Sequence, residues 1–280
     1  MDEVNLPAQT SNPDATLTPG KLGQLPAGLH VGYTSDVGQK RERNEDSLQI
    51  VVSHLQHDLG LEPFGLFIVA DGMGGHQKGE LASALAARVA ASSLLKDVYL
   101  PFLSSDKSAD NRPLNEALQV AVEQANKAVI KQVPDGGTTI VLALVMGNNA
   151  YIAHVGDSRA YVLKQGALKQ ITEDHSLAKK LEQMGQSAEE VQQAQSVLYR
   201  AIGQGESIDV DTRIQHLPPG SSLLLCSDGL WGMIDDSTIK SILDSAASPQ
   251  AACNELIAAA NAQGGRDNIT AIVVSMGLDT

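Results

Sequence analysis

The chain has 280 residues, 42% of them hydrophobic, which is enough for one large core or two small ones. Its formal net charge of −13 argues against nucleic acid and against an anionic membrane surface as partners. The two cysteines supply neither a disulfide framework nor a zinc site. This cysteine content, together with the lack of a visible signal peptide and of a long apolar run, indicates a cytoplasmic protein.

The sequence changes character near residue 28. Residues 1–28 are polar and rich in turn-forming residues, which predicts a flexible N-terminal tail, whereas residues 29–280 are predicted to form one domain. Strands are predicted at 30–35, 47–53, 65–70, 138–146, 149–155, 159–163, 208–215, 221–227 and 268–276. Helices are predicted at 80–95, 113–133, 177–184, 188–194, 235–246 and 249–262.

Several predicted strands follow one another without a helix, as in 138–146, 149–155 and 159–163. Parallel strands need long crossover connections, so this spacing favours an α+β fold with antiparallel sheets flanked by helices. Residues 174–196, rich in Gln, Glu and Lys, interrupt the strands. We call them the flap segment and predict that they lie on the surface near the functional site.

Three apolar runs each end at an aspartate in a glycine turn. They lead into Asp71-Gly72, Asp228-Gly229 and Gly156-Asp157. A single Asp-Gly pair is more often only a tight turn. The recurrence at three strand ends instead favours one shared site.

Two further acidic segments precede predicted strands, namely Glu45-Asp46 and Arg266-Asp267-Asn268. Each could be a local turn or cap. Buried carboxylates repel one another unless a cation compensates, so convergence of these acids would require bound metal. Oxygen ligands without a Cys or His cluster are typical of Mg²⁺ or Mn²⁺, and two such ions can activate a water for in-line attack on phosphorus.

Taken together, these segments resemble the metal-dependent serine/threonine protein phosphatases of type 2C (the PPM family) in their bacterial form. The matching stretches occur in the family's order over about residues 30–276, and eight in sequence are a specific signal. They are 41–47 (RERNEDS), 71–76 (DGMGGH) with 79–80 (GE), 137–139 (GTT), 156–161 (GDSRAY), 172–176 (TEDHS), 200–203 (RAIG), 226–231 (CSDGLW) and 265–270 (GRDNIT).

The resemblance implies a four-layer α-β-β-α sandwich with a two-metal site at one end of two packed antiparallel sheets. It implies that a metal-bridging water attacks phosphoserine or phosphothreonine directly, with Arg41 holding the substrate phosphate. The implied ligands of Mn²⁺ or Mg²⁺ are Asp71 as the bridge, the Gly72 carbonyl, Asp228, Asp267, Asp46 (and Glu45) through water, and Asp157 at a weaker third site.

The sequence also departs from the family's pattern. Animal members carry a histidine as proposed general acid where this chain has Met73, and His76, three residues further on, could equally have a structural role at a helix start. Some members supply another third-metal acid where this chain has Gly232. The proton donor and the third metal's affinity are therefore unassigned.

Other functional classes fit the sequence less well. Cys226 as a tyrosine-phosphatase nucleophile would need an arginine six residues later, where Gly232 stands, and is better explained as a buried strand residue. A metal-dependent nuclease is disfavoured by the charge. A catalytically silent binding protein on the same fold could lose its metal-binding acids, whereas this chain keeps Asp46, Asp71, Asp228 and Asp267. We expect a monomer acting on phosphorylated proteins, including a Ser/Thr kinase or its targets.

Overall fold

The computed structural model describes residues 28–57, 60–74, 78–104, 112–194 and 197–277. These ranges exclude residues 1–27, which make up the predicted tail except for its last residue. They also exclude Gly75, His76 and Gln77, and with them the structural role at a helix start that was considered for His76. The strands are β1 (Leu29–Asp36), β2 (Asp46–His57), β3 (Gly60–Met73), β4 (Gly137–Thr138), β5 (Ile140–Met146), β6 (Asn149–Val155), β7 (Arg159–Lys164), β8 (Ala167–Gln170), β9 (Asp211–His216), β10 (Ser222–Cys226) and β11 (Ile269–Met276).

The helices lie between and after these strands. They are α1 (Lys78–Leu94), a π-helical turn (Leu95–Tyr99) that continues into α2 (Leu100–Ser104), α3 (Leu114–Gln132), α4 (Leu177–Gln183), α5 (Ala188–Gln193), α6 (Asp228–Trp231), α7 (Asp236–Ser245) and α8 (Pro249–Ala262). Several begin at a side-chain cap. Ser248 accepts a hydrogen bond from the Ala251 N–H before Pro249, and Asp235 accepts one from the Thr238 N–H.

Two antiparallel sheets are present. The first has the order β2-β3-β5-β6-β9, with β4 beside the end of β3, and the second has the order β1-β11-β10-β7-β8. β1 and β11 pair along their whole length, from Leu29 opposite Met276 to Asp36 opposite Ile269. The predicted antiparallel sheets are therefore confirmed.

The central strands are apolar on both faces because both faces are covered. In β5, Ile140, Leu142 and Leu144 face a cluster with α1 and α3, while Val141 and Val145 face the other sheet. Strand residues alternate between faces, so a doubly covered strand must be apolar throughout. This explains the unbroken apolar runs of the sequence.

Three apolar layers result. One lies between the first sheet and α1 and α3, a second between the second sheet and α7 and α8, and a third, the inter-sheet layer, between the two sheets. The inter-sheet layer includes Phe67 and Val69 from β3, Leu225 from β10 and Ile272 and Val274 from β11. The four-layer α-β-β-α sandwich is confirmed.

The structure differs from the predicted elements at a few places. The segment 138–146 is split into β4 and β5, the segment 208–215 becomes β9 at 211–216, and β8 and α6 were not predicted. The flap segment contains α4 and α5. β8 was not predicted because exposed and half-buried positions alternate along it, which leaves no apolar run in the sequence. Within the described ranges, no helix combines the length and apolarity that crossing a membrane requires.

Candidate metal centre

The candidate acids lie at one end of the sandwich, which we call the acid end. Asp46 opens β2 and is the direct strand partner of Asp71 in β3. β10 ends just before Asp228, β6 just before Gly156-Asp157, and β11 begins just after Asp267. β2 and β3 are antiparallel neighbours in the first sheet, as β10 and β11 are in the second, so the start of one strand lies beside the end of the other.

The strand period explains which way the acids face. In β3, Phe67, Val69 and Asp71 occupy alternate positions, so Asp71 continues the face that forms the inter-sheet layer. Ser227 continues the same alternation after Leu225, and Asp46 continues it before Leu48, which packs on that layer. These three polar residues thus replace apolar ones in a single layer.

These side chains surround an open cleft of about 620 Å³. The lining residues are Arg41, Glu45, Asp71, Gly72, Met73, Gly74, Thr139, Asp157, Val197, Leu198, Gln204, Asp228 and Asp267. Of the predicted site residues in the described ranges, the cleft therefore gathers all except Asp46, which pairs with Asp71 on the neighbouring strand. Val197 and Leu198, which follow the flap segment in the sequence, line the cleft, while the position of the flap segment itself near the site stays a prediction.

The backbone around Asp71 is held by hydroxyl groups. The Asp71 N–H donates to Thr139 Oγ1 at 3.0 Å, and Thr139 Oγ1 lies 2.7 Å from Ser158 Oγ. The Asp71 carbonyl accepts from Thr138 Oγ1 at 2.8 Å. Gly72 must be glycine, because a Cβ there would lie 2.2 Å from the Gly79 carbonyl oxygen.

Asp46 is fixed by groups of the second sheet. Ser227 Oγ donates to Asp46 Oδ2 at 2.7 Å and accepts from the Thr270 N–H at 2.9 Å. Burial raises the pKa of Asp46 to about 7. The hydrogen bond between Ser227 and Asp46 joins the two sheets at the acid end.

Asp267 is placed by Asn268 and Arg41. Its Oδ1 accepts from the Asn268 N–H at 2.8 Å, and its Oδ2 accepts from Arg41 Nη2 at 2.6 Å. The Asn268 amide in turn donates to the carbonyls of Val37 and Arg43, which holds the loop carrying Arg41 against this turn. The hydrogen bond that Arg41 donates to Asp267 raises the pKa of Arg41, whose side chain is half-exposed.

Asp157 is nearly fully buried, and its backbone is also held. The Asp157 carbonyl accepts from Trp231 Nε1 at 3.0 Å. Burial, together with the charges of Asp228 and Asp174, raises the pKa of Asp157 to about 8. The preceding residue, Gly156, exchanges two hydrogen bonds with His175.

The electrostatics of the acid end fit a divalent cation. Burial, then the charges of neighbouring acids, raises the pKa of Asp71 well above its ordinary value and that of Asp228 to about 6. Asp46 Oδ1 and Asp228 Oδ1 are buried and lack a hydrogen-bond partner among the described residues. Such oxygens are costly unless a cation or donor satisfies them.

The ligand set is not preassembled. In the ranges described, no three His, Cys, Asp or Glu side chains are already gathered into a metal-ligating cluster. The acids instead line the walls of one cleft, with Asp267 drawn to Arg41. The donor set of carboxylate and carbonyl oxygens suits Mg²⁺ or Mn²⁺.

Sequence reasoning missed the groups that hold the acids in place. Ser227, Thr139, Ser158, Asn268 and Trp231 lie inside the recognised motifs, but no role was predicted for them. The signal was their position: each lies within three residues of a candidate acid or on a facing strand end. Cys226 is buried, as predicted, and burial raises the pKa of its thiol to about 12.

A family model described as "Protein phosphatase 2C" matches residues 39–264. The chain belongs to the protein phosphatase 2C family. Two curated relatives are each 32% identical over 89% of this chain: the serine/threonine phosphatase stp of Listeria innocua, of which 97% is covered, and the protein phosphatase PhpP of Streptococcus pneumoniae, of which 98% is covered. The recognition from sequence is therefore confirmed.

Solved structures support the same family. The serine/threonine phosphatase PstP/Ppp of Mycobacterium tuberculosis superimposes with a TM-score of 0.72 at 31% identity, covering 89% of this chain and 99% of that one. The catalytic domain of PstP in complex with two manganese ions gives 0.72 at 32% identity with the same coverage. The prediction of a metal-dependent protein-serine/threonine phosphatase is confirmed at the level of the family, while the roles of individual residues stay predictions.

Proposed function

We propose that the cleft at the acid end hydrolyses phosphoserine and phosphothreonine in proteins, with Mn²⁺ or Mg²⁺ as cofactor. The observation that carries this proposal is the convergence of four aspartates from separate strand ends on one cleft, with Asp46 as the strand partner of Asp71. Two buried carboxylate oxygens without a partner among the described residues support bound cations. Family membership supports the reaction.

The ligand roles follow the walls of the cleft. Asp71 lines the cleft together with Asp228 and has Asp46 as its strand partner, and it would be the ligand shared by the cations. The Gly72 carbonyl, Asp228 and Asp267 would complete the set, and Asp46 would hold a ligated water. Asp157, which also lines the cleft, would serve a weaker third site.

When bound, the cations lower the pKa of a water molecule and neutralise charge on the phosphoryl oxygens. The chain's own residues do the positioning. Arg41 is the arginine of the cleft lining, and its guanidinium can exchange its single hydrogen bond to Asp267 for a bidentate contact with a phosphate. Met73 lines the cleft but has no proton to donate, so the leaving group takes its proton from elsewhere.

The alternative function is a catalytically silent binding protein on the same fold. Such a protein would have no need of Asp46, Asp71, Asp228 and Asp267 together, nor of Ser227 and Thr139, which hold two of them. The intact set favours the enzyme. The two readings separate in a single assay of hydrolysis.

The experiment measures release of phosphate from p-nitrophenyl phosphate and from phosphothreonine peptides. We expect hydrolysis with Mn²⁺ or Mg²⁺ and its loss in excess EDTA. Arg41→Ala should raise the KM roughly tenfold, while Arg43→Ala, an exposed arginine two residues away, serves as the matched control. Full activity in EDTA would refute the metal requirement, and an unchanged KM in Arg41→Ala would remove that residue's role.

We further propose a cytoplasmic setting and partners among phosphorylated proteins, including a Ser/Thr kinase or its targets. Both cysteines are free and buried, in keeping with a reducing compartment. A phosphoproteome comparison between cells with the wild-type protein and cells with an inactive variant would identify the substrates.

A further inference from the structure

The turn that carries Asp157 is held from two sides by groups on other elements. On one side, Trp231 Nε1–H donates to the Asp157 carbonyl at 3.0 Å. On the other, the His175 N–H donates to the Gly156 carbonyl at 2.8 Å, and the Gly156 N–H donates to His175 Nδ1 at 3.0 Å. The turn is therefore tied both to α6 and to the start of the flap segment.

Trp231 and Asp228 belong to the same helical turn. α6 begins at Asp228 and ends at Trp231, three residues later. Asp157 and Asp228 come from different elements, so neither element alone fixes the separation of their carboxylates. The Trp231–Asp157 hydrogen bond is the described contact that ties the helical turn of one acid to the backbone of the other.

Arg159 joins both attachments of the turn. Its guanidinium lies 3.6 Å from the centroid of the Trp231 ring. Its Nε and Nη2 donate to Asp174 Oδ1 and Oδ2 at 2.9 and 2.6 Å, and Nη1 donates to Tyr161 Oη at 2.9 Å. One face of the guanidinium thus stacks on the indole while each of its three nitrogens donates a hydrogen bond, an arrangement that lysine cannot reproduce.

The acid that Arg159 holds leads directly into α4. Asp174 is followed by His175 and by Ser176, the N-cap of α4, whose side chain accepts from the Lys179 N–H. Arg159 and Asp174 are 17% and 6% exposed, so this ion pair is largely shielded from water. A buried ion pair contributes little net stability against an apolar replacement, which leaves geometric specification as a reason to keep it.

We propose that Arg159 and Trp231 are positioning residues: they set Asp157 relative to Asp228 and so couple cation binding at these acids to the order of α4. The inference rests on the proposed function, because it takes Asp157 and Asp228 to be cation ligands. It adds a mechanical link between the cleft and the flap segment that the ligand roles do not include.

The test uses Arg159→Lys, with Arg213→Lys as the matched control. Arg213 lies exposed on β9 and outside the lining of the cleft. Trp231 is the chain's single tryptophan, so its fluorescence reports on this place alone. The full-length protein is titrated with Mn²⁺ alone, and tryptic cleavage after Lys179 and Lys180 in α4 is followed at each concentration.

In the wild-type protein and in Arg213→Lys, we expect Mn²⁺ to quench Trp231 fluorescence and to slow cleavage in α4 over the same concentration range. In Arg159→Lys, the Mn²⁺ concentration at half-quenching should rise about tenfold, as is typical when a partner of a metal ligand is lost. Protection of α4 should fall in parallel. Equal quenching curves and equal protection in the two variants would overturn the proposal.

A second variant covers the case in which Arg159→Lys does not fold. Trp231→Phe keeps a ring for Arg159 and removes only the donor to Asp157, and its Mn²⁺ affinity is measured by calorimetry. We expect the same loss of affinity and of protection, and wild-type values would contradict the inference. Hydrolysis of p-nitrophenyl phosphate by the wild-type protein is scored separately: its absence would refute the proposed function, while the binding and cleavage data still decide the coupling.

Discussion

The inter-sheet layer and the acid end share the strands β2 and β3, yet they follow opposite physical rules. In the layer, Phe67, Val69 and Ile272 are fully buried among apolar neighbours. One step further along β3, Asp71 stands beside other acids, and oxygens of Asp46 and Asp228 lack partners in the described ranges. The layer gains stability from burial, whereas the acid end gives up stability to hold like charges together.

The difference shows how a functional site can be added to a sandwich without a separate domain. Asp46 and Asp71 extend an alternation that is already fixed by the core, so the apolar register also determines where these two carboxylates point. Asp157, Asp228 and Asp267 lie just beyond the strand ends. The cost of gathering them is local and is offset by the apolar layers. This contrast predicts that activity and stability respond to different substitutions.

The largest effect should come from Asp71→Asn. Removing the central ligand while keeping the shape should lower kcat by on the order of 10³-fold, because charge stabilisation at the reacting phosphoryl group would be lost. Hydrolysis of a phosphothreonine peptide under saturating Mn²⁺ is the measurement, with thermal unfolding as the control. Retention of near-wild-type kcat would break the assignment of Asp71.

Ile272→Ala should have the opposite profile. Ile272 is fully buried in the inter-sheet layer, so its truncation should lower the free energy of unfolding by about 2–5 kcal/mol. Chemical denaturation measures this loss. The Mn²⁺ concentration for half-maximal activity should not change. If that concentration rose as much as in a variant of the acid end, the two regions would not be separable.

The pH dependence of stability should follow the acids of the cleft. The pKa values of Asp228, Asp46 and Asp157 are raised in the folded protein to about 6, 7 and 8, above the unfolded value near 3.9. Between these values the folded state binds more protons than the unfolded state. Stability in EDTA should therefore fall as the pH rises from about 5 to 8.

Calorimetric unfolding at pH 5.5 and pH 8 measures this trend. Mn²⁺ should weaken it by satisfying the carboxylates, and Asp157→Asn should reduce the slope and raise the Tm in EDTA at pH 8 by roughly 5 °C. If stability in EDTA increased towards pH 8, the ionised acids would not be destabilising the folded protein, and the contrast between the two regions would be lost.

The smallest effect is expected far from both regions. Lys240 and Asp244 form an i,i+4 ion pair on α7 with both side chains about 40% exposed. Lys240→Ala should change the free energy of unfolding by only about 0.3–0.5 kcal/mol, and less in high salt. It also serves as a baseline for the other variants, and a loss above about 1 kcal/mol would point to a network that the structure does not contain in its described part.

Much of this arrangement could be predicted from the sequence. The apolar runs marked the central strands, and Asp71, Asp157 and Asp228 marked the strand ends, because a period of two and a following glycine are local signals. α6 escaped prediction because four residues show no helical period. β8, with the sequence ALKQ, escaped because an exposed edge strand need not be apolar.

The attachments of Asp157 could not be predicted for a different reason. Arg159 reaches Asp174 only because β7 and β8 form a hairpin that brings Tyr161 opposite Gln170. Trp231 follows β10 of the second sheet and Asp157 follows β6 of the first, so their hydrogen bond joins residues 74 positions apart in the sequence. Such contacts depend on register between distant segments, which residue type and spacing do not specify.

The pairing of β1 with β11 has a practical consequence. Leu29 and Met276 are neighbours, and the Gly277 N–H donates to the Gly28 carbonyl, so the chain enters and leaves the sandwich at one point. Each strand has eight residues, which separates that point from the acid end by about 25 Å. A short linker could therefore join residues 28 and 277 in a circular permutant, with new ends opened at the exposed Asn148 turn, while the cleft stays free of any tag.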